Sequence, residues 1–238
     1  MAEDPKTEQA PSYREIRALA QKAIQGYRTG PLFTPPSIEG TIVRPGTTGG
    51  ANWGGAAVDP ATGMLYVPSR NAHSVSKLSP PDPKLDSNLL YMQAPGRAPQ
   101  MPDGLPLFKP PYSRITAIDM NTGNHAWMIP AGNGDRIRNN PRLKGLNLGP
   151  VGGDSTLAGP LLTRTLLIYP LTTGGTNNGP RLAAFDKASG REVASADLPG
   201  SAIGTPMTYS IGGKQYIAIT VSGRNSTDIP QLVALSLP

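Results

Sequence analysis

The chain has 238 residues, enough for one medium-sized domain or two small ones. It contains 28 glycines and 27 prolines, and so many helix-breaking residues exclude a helical bundle or a coiled coil. It has no cysteine, which excludes disulfides, thiolate metal sites and cysteine nucleophiles. The formal net charge is +6, but the one local basic cluster, at 136–144, is not interleaved with aromatic residues. Binding to nucleic acid is therefore not expected.

The first residues predict an arm and a single helix. Residues 1–11 are polar, with no basic and apolar segments of the kind that make a signal peptide. Helix is expected over 12–26, where Ser12 and Glu15 form a capping box and Gly26 ends the helix. Its apolar face consists of Ile16, Leu19, Ala20, Ala23, Ile24 and Tyr27. No apolar run approaches the ~20 residues of a membrane helix.

From residue 41 onward the sequence is typical of a β protein. Short β-rich segments alternate with Gly, Pro, Asn and Asp turns. The predicted strands are 41–44, 55–58, 64–68, 114–119, 125–130, 159–162, 166–170, 181–186, 192–198, 207–211, 214–221 and 231–236.

The domain organisation is predicted from the same signals. Residues 1–36 form an N-terminal arm and helix, and residues 37–238 form the strand-rich region. Within that region, 71–113 is a long proline-containing insertion with little periodicity. An insertion of this length indicates a functional loop or a covering arm.

A repeat occurs within the strand-rich region. Residues 116–127 (TAIDMNTGNHAW) match residues 183–194 (AAFDKASGREVA), and 231–236 resembles a truncated third copy. The pattern predicts a hairpin in which the Asp accepts hydrogen bonds from turn amides and the Gly reverses the chain. Trp127 would then lie over the neighbouring repeat. Strand groups at this period indicate the blades of a β-propeller.

The repeat resembles the tryptophan-docking repeat of the pyrroloquinoline quinone (PQQ) dehydrogenases. Further stretches resemble the last part of that family in the right order, over residues 30–238. They are GPLFTPP at 30–36, PGTTGGANWGG at 45–55, DPATGMLYV at 59–67, AGPLLT at 158–163, GTPMTY at 204–209 and GKQYIA at 213–218. The combination of GANWGG with GTPMTY is the most specific part.

The resemblance implies an all-β fold with an N-terminal helix. The expected fold is a partial β-propeller, with about three four-stranded blades of an eight-bladed quinoprotein propeller. In the family the catalytic Asp base, the calcium ligands and the Trp beneath the quinone lie in earlier blades. The chain therefore resembles the C-terminal portion of a quinoprotein, and neither a catalytic nor a metal-binding residue is assigned within it.

Cofactor contacts are implied for the residues that match the family motifs. Asn52 matches a position that hydrogen-bonds the quinone, the alternative being an Asn that satisfies a tight glycine-rich turn. Trp53 either lines the cofactor pocket or fills the core between blades. Arg224 or Asn225 either binds a PQQ carboxylate or lies in a solvated turn.

Other residue types that often carry chemistry have structural interpretations. Asp119 and Asp186 occupy repeat-matched positions, and a catalytic acid would be unique rather than repeated. His73 and His125 are isolated, and His125 is expected on the surface. The glycine-rich stretch 172–179 is interpreted as a loop that connects blades, because no helix follows it to bind phosphate.

The implied function is oxidation of an alcohol, polyol or aldose hydroxyl with PQQ as cofactor and a quinone or other electron acceptor. Calcium is also implied, with ligands outside this chain. The implied partners are the small substrate and an N-terminal propeller half, and the implied compartment is the periplasm. The alternative is a non-catalytic propeller that binds protein partners.

Overall fold

The computed structural model describes residues 11–223 and 228–236. Contacts divide the chain into two compact units. The first comprises Met1–Gly50, Asn71–Lys109 and Arg136–Asn147, and the second comprises Ala51–Arg70, Pro110–Asp135 and Leu148–Pro238.

Within the described residues, the secondary structure is mostly β. The helices are α1 (Pro11–Ala23) and α2 (Asp135–Arg138), with single 3₁₀ turns at Pro102–Gly104, Pro141–Leu143 and Thr176–Asn178. The strands are β1 (Thr41–Val43), β2 (Ala57–Asp59), β3 (Met64–Arg70), β4 (Ser74–Ser79), β5 (Met92–Pro95), β6 (Ser113–Asp119), β7 (Asn124–Pro130), β8 (Leu161–Leu162), β9 (Leu166–Leu171), β10 (Arg181–Asp186), β11 (Glu192–Asp197), β12 (Met207–Ile211), β13 (Lys214–Val221) and β14 (Gln231–Ser236).

Every predicted strand is present, with ends shifted by no more than two residues. No strand was predicted in the insertion 71–113, but β4 and β5 lie there and pair with each other. The sequence of β4 is SVSKLS, in which only Val75 is fully buried. Its two apolar residues, Val75 and Leu78, fall on opposite faces of the strand, so the sequence shows no apolar alternation.

The first unit packs helix α1 on a small apolar cluster. Met101, Leu105 and Leu107 form its buried centre. The predicted apolar face of α1 covers them through Ile16, Leu19, Ala20, Ala23 and Ile24. The same unit contains a three-stranded antiparallel sheet in the order β1-β4-β5.

Helix α1 begins one residue before Ser12 and ends three residues before the predicted Gly26. The chain after Ala23 continues as a turn, in which the Tyr27 amide donates to the Ile24 carbonyl oxygen. Gly26 lies in this turn with φ +84°, a conformation that glycine adopts without a steric penalty.

The second unit contains three antiparallel sheets in chain order. The first has the order β2-β3-β6-β7, the second β8-β9-β10-β11 and the third β12-β13-β14. Each is an up-and-down meander, and in the first sheet the segment 71–112 joins β3 to β6. Among the described residues the third sheet has three strands rather than the four that were predicted.

Both faces of the second sheet are buried, because successive side chains of β9 pack in clusters on opposite sides of the sheet. Leu167, Tyr169 and Leu171 pack in one cluster with residues of the first sheet, including Tyr66 and Ile115. Ile168 packs on the other side, in a cluster with Ile219 and Val221 of the third sheet. Consecutive sheets therefore stack face to face, which is the arrangement of propeller blades.

Candidate functional site

The segments that precede the first strand of each sheet meet one another in the second unit. A Cβ built on Gly54, before β2, would overlap the Leu157 carbonyl oxygen. A Cβ on Gly159, before β8, would overlap the Gly54 carbonyl oxygen. The Gly159 amide donates to Thr205 Oγ1, 3.0 Å away, before β12. Glycine is thus required where these main chains approach most closely.

Asn52 to Gly55 form a tight turn at this meeting point. The Gly55 amide donates to the Asn52 carbonyl oxygen at 2.8 Å, and Gly55 has φ +71°. The turn leaves Trp53 96% exposed. Trp53 therefore does not fill the core between the described sheets.

The segment before β8 is held rigidly by its hydrogen bonds. Ser155 forms an antiparallel bridge with Leu171, and the buried Tyr169 hydroxyl donates to the Thr156 carbonyl oxygen at 3.2 Å. The Ala158 amide donates to Thr156 Oγ1. Leu157, between these anchors, remains 64% exposed.

The segment before β12 repeats this geometry. Ala202 forms an antiparallel bridge with Val221, and the Ile203 amide donates to the Thr220 carbonyl oxygen at 3.0 Å. Ile203 is 58% exposed. We call Trp53, Leu157 and Ile203 the entrance residues, because each lies shortly before the first strand of its sheet. Ile203 was missed by the sequence analysis, although its position before GTPMTY could have identified it.

A cavity of about 530 Å³ lies in the second unit and is called the loop cavity. Its lining comes from 176–180, from 197–201 and from Gly223. The first of these segments belongs to the β9–β10 loop, so the prediction that 172–179 connects blades is wrong. The loop joins two neighbouring strands of one sheet, because the strand before it pairs with the strand after it.

The repeat-matched aspartates are structural, as predicted. Asp119 Oδ1 accepts from the Asn121 amide at 2.9 Å, and Asp186 Oδ1 accepts from the Ser189 amide at 2.8 Å. These and neighbouring hydrogen bonds hold the pKa of both carboxyls below the usual value. His125, on β7, is exposed as expected. Arg224 and Asn225 lie outside the described residues.

The part of the chain that the structure describes offers neither a metal-ligand cluster nor a membrane-crossing helix. No group of three or more His, Asp or Glu side chains is placed to hold a metal ion within 11–223 and 228–236. In the same part of the chain, no helix has the length and apolar character needed to cross a bilayer.

The antiparallel meanders stack face to face, and repeated Asp–Gly turns join neighbouring strands within them. Together these features define a partial β-propeller. Residues 5–217 match the family described as PQQ: glucose/ethanol/alcohol dehydrogenase, beta-propeller domain. The chain belongs to this family.

Curated relatives include several bacterial dehydrogenases. The chain is 31% identical over 221 residues to the quinate/shikimate dehydrogenase (quinone) of Acinetobacter baylyi, over 83% of this chain and 26% of the relative. It is 30% identical to quinoprotein glucose dehydrogenase A of Acinetobacter calcoaceticus, over 87% of this chain and 27% of the relative. It is 31% identical to the glycerol dehydrogenase large subunit of Gluconobacter thailandicus, over 87% of this chain and 31% of the relative. The chain thus spans between a quarter and a third of these relatives.

A solved structure supports the fold. The quinohemoprotein alcohol dehydrogenase ADHIIG of Pseudomonas putida HK5 superposes with a TM-score of 0.51 at 18% identity, over 77% of this chain and 24% of that one. This superposition confirms the partial propeller fold, and the family model and the curated relatives confirm the family resemblance.

Proposed function

We propose that this chain forms part of a PQQ-dependent dehydrogenase that oxidises the hydroxyl group of an alcohol, polyol or aldose, with a quinone as electron acceptor. Family membership supports this proposal, as do the names of relatives that act on quinate, glucose or glycerol. The observation that carries it is the exposed Trp53 at the meeting point of three first-strand segments.

The residues at this point fit a planar, polar cofactor. The Trp53 indole is a flat surface that can cover a quinone ring, and the Asn52 side chain can donate to a quinone oxygen without adding charge. Leu157 and Ile203 add exposed apolar surface at equivalent positions. When bound, PQQ supplies the electron-accepting quinone for alcohol oxidation. Arg224 and Asn225 remain proposed contacts for its carboxylates.

The role we assign to this chain is to hold and orient the cofactor. Asn52 would fix the quinone oxygen, and Trp53 would exclude water from one side of the ring. We assign the base that removes the hydroxyl proton, together with the calcium ligands, to blades outside this chain. The periplasm is the compartment that fits this assignment.

A structural comparison within the chain supports a partner that supplies further blades. Gly190 is covered by the Trp127 indole, since an added Cβ would lie 2.9 Å from the ring. The equivalent Gly123 has the same backbone conformation, with φ +75° against +73°, but open space where a Cβ would be. We propose that Gly123 receives an indole from a preceding repeat of the propeller.

The proposed site can be tested with the two tryptophans of the chain. In Trp127→Phe the exposed Trp53 is the sole indole, and PQQ should quench its fluorescence saturably. In Trp53→Phe, saturable quenching of Trp127 at the same PQQ concentrations should be lost or much weaker. Equal quenching curves in both variants would contradict a site at Trp53.

A further inference from the structure

The loop cavity has the size and the lining of a small-molecule site. Its volume of about 530 Å³ falls within the range usual for ligand pockets. Two connections of the second sheet supply the wall, one between β9 and β10 and one after β11. The lining residues that carry the argument are Thr176, Asn177, Pro180, Asp197, Pro199 and Ser201.

Asp197 provides a fixed negative charge in this wall. Its Oδ1 atom accepts from the Thr176 amide at 3.1 Å. Hydrogen bonds from Thr176 lower the pKa of Asp197, and the charge of Arg181 lowers it further, so the side chain is a carboxylate at neutral pH.

No lysine, arginine or histidine lines the described wall of the loop cavity. Arg181 is the register partner of Asp197 on β10, but its guanidinium is paired with Glu192, with Nη2 3.0 Å from Oε2. The carboxylate of Asp197 therefore repels an anionic ligand that approaches this wall.

The polar groups of the wall match hydroxyl groups instead. A carboxylate only accepts hydrogen bonds, an amide side chain both donates and accepts, and a serine hydroxyl does both. Asp197, Asn177 and Ser201 present these three types together. Pro180 and Pro199 add apolar surface that can contact the C–H groups of a sugar or polyol.

The loop that presents Asn177 has an unusual backbone. Asn177 and Asn178 have φ +54° and +57°, the left-handed conformation that non-glycine residues rarely adopt. Local hydrogen bonds maintain it, since the Gly174 amide donates to Asn178 Oδ1 at 3.1 Å and the Gly179 amide to the Thr176 carbonyl oxygen at 3.0 Å. Such strain is often found at ligand clamps.

One wall residue of the loop cavity is close in sequence to an entrance residue. Ser201, in its wall, is two residues from Ile203, and the Ser201 carbonyl oxygen accepts from the Ser222 amide at 2.8 Å. We propose that the loop cavity binds a neutral polyol or aldose, in preference to a hydroxy acid, through Asp197 and Asn177. As a substrate-entry site this rests on the dehydrogenase function proposed above, whereas the binding itself needs no PQQ.

Two probes of similar size separate the classes. D-glucose is neutral, whereas quinate carries a carboxylate on a hydroxylated six-membered ring. Binding of each to the complete chain would be measured by ligand-observed NMR titration without PQQ. We expect saturable binding of D-glucose and at least tenfold weaker binding of quinate. Absence of D-glucose binding, or equal affinity for the two probes, would overturn the proposal.

Variants then locate the site. Asn177→Gly removes the amide side chain, and glycine adopts the left-handed backbone without a steric penalty, so the variant should fold. It should weaken D-glucose binding roughly three- to tenfold, the effect of one hydrogen bond. Asp197→Asn should reduce the ratio of the D-glucose affinity to the quinate affinity. Ser195→Ala, on the exposed β11 away from the cavity lining, should leave both affinities unchanged.

The outcomes distinguish a failure of the loop-cavity proposal from a failure of the proposed dehydrogenase function. If D-glucose binds equally to the parent chain, Asn177→Gly and Asp197→Asn, its site is elsewhere and the loop-cavity proposal is wrong. PQQ quenching of Trp53 could persist in that case. Loss of PQQ quenching with intact D-glucose binding would instead contradict the cofactor site alone.

Discussion

The Trp127 indole Nε1 donates a hydrogen bond to the Lys187 main-chain carbonyl oxygen, 3.1 Å away. Trp127 lies on the last strand of the first sheet, and Lys187 lies in the β10–β11 turn of the second. The Lys187 side chain returns to the first sheet, where Nζ is 2.6 Å from Asp59 Oδ2. One turn residue therefore joins consecutive blades through both its main chain and its side chain.

The first prediction concerns two matched glycines in the repeated turns. Gly190→Ala should destabilise the chain more than Gly123→Ala. Both substitutions place a side chain at positive φ, which costs about 1–2 kcal/mol. Only at Gly190 does the new Cβ also displace the Trp127 ring, which should add about 1–3 kcal/mol. Urea unfolding followed by circular dichroism measures both, and equal losses would contradict docking at Gly190.

A second prediction compares the two tryptophans. Trp127→Phe should lower the free energy of unfolding by about 1–3 kcal/mol, because it leaves the Lys187 carbonyl oxygen without its indole donor and reduces packing on Gly190. Trp53→Phe is the control, because Trp53 is 96% exposed and should contribute little to stability. Comparable losses in the two variants would show that the indole of Trp127 has no special role.

A third prediction concerns the Asp59–Lys187 ion pair in acid. The hydrogen bond from Lys187, with further support from Thr62, lowers the pKa of Asp59 below its ordinary value of 3.8. Stability from the pair is therefore fully present above this ordinary value and is lost as the pH falls through the lower folded value. The parent chain should have a higher Tm than Lys187→Met at pH 6, and the difference should shrink by pH 3. Lys214→Met, at an exposed position, should show no such pH-dependent difference.

A fourth prediction concerns the outer face of the third sheet. Met207, Ile211 and Leu232 share this face by register and are 55%, 66% and 73% exposed. The opposite face is buried against the second sheet. An apolar sheet face of this kind favours association, so the sedimentation coefficient should depend on protein concentration. Leu232→Lys should reduce this dependence. A concentration-independent monomer that unfolds cooperatively would contradict this prediction.

A fifth prediction concerns catalysis. The chain alone, supplied with PQQ and Ca²⁺, should not reduce an electron-accepting dye with glucose, glycerol or quinate. We assign the base and the calcium ligands to other blades. Dye reduction above a control without protein would contradict that assignment.

The strands and the docking of Trp127 were predictable from sequence because both depend on local patterns. A short continuous apolar run marks β9, and the Asp–Gly turns carry their own hydrogen-bond acceptors. Strand β4 was missed because Val75 and Leu78 lie three positions apart, which does not fit the two-residue period of a strand.

The entrance residues needed the structure, since their meeting depends on glycine contacts between distant segments. Gly54 and Gly159 are 105 positions apart in the chain, yet a side chain on either would strike the main chain of the other segment. The loop cavity likewise combines loops separated in sequence, with Asp197 contacting the amide of Thr176. Neither relationship is visible as a local motif.

The most direct test of the account is PQQ affinity, measured by equilibrium dialysis with Asn52→Ala and Asn124→Ala. Asn124 is exposed at the start of β7 and serves as the matched control. We predict that PQQ binds the parent chain and Asn124→Ala equally, and that Asn52→Ala binds it about fivefold or more weakly through loss of one hydrogen bond. Undetectable binding to the parent chain, or an unchanged dissociation constant in Asn52→Ala, would contradict the assignment of this turn to the cofactor.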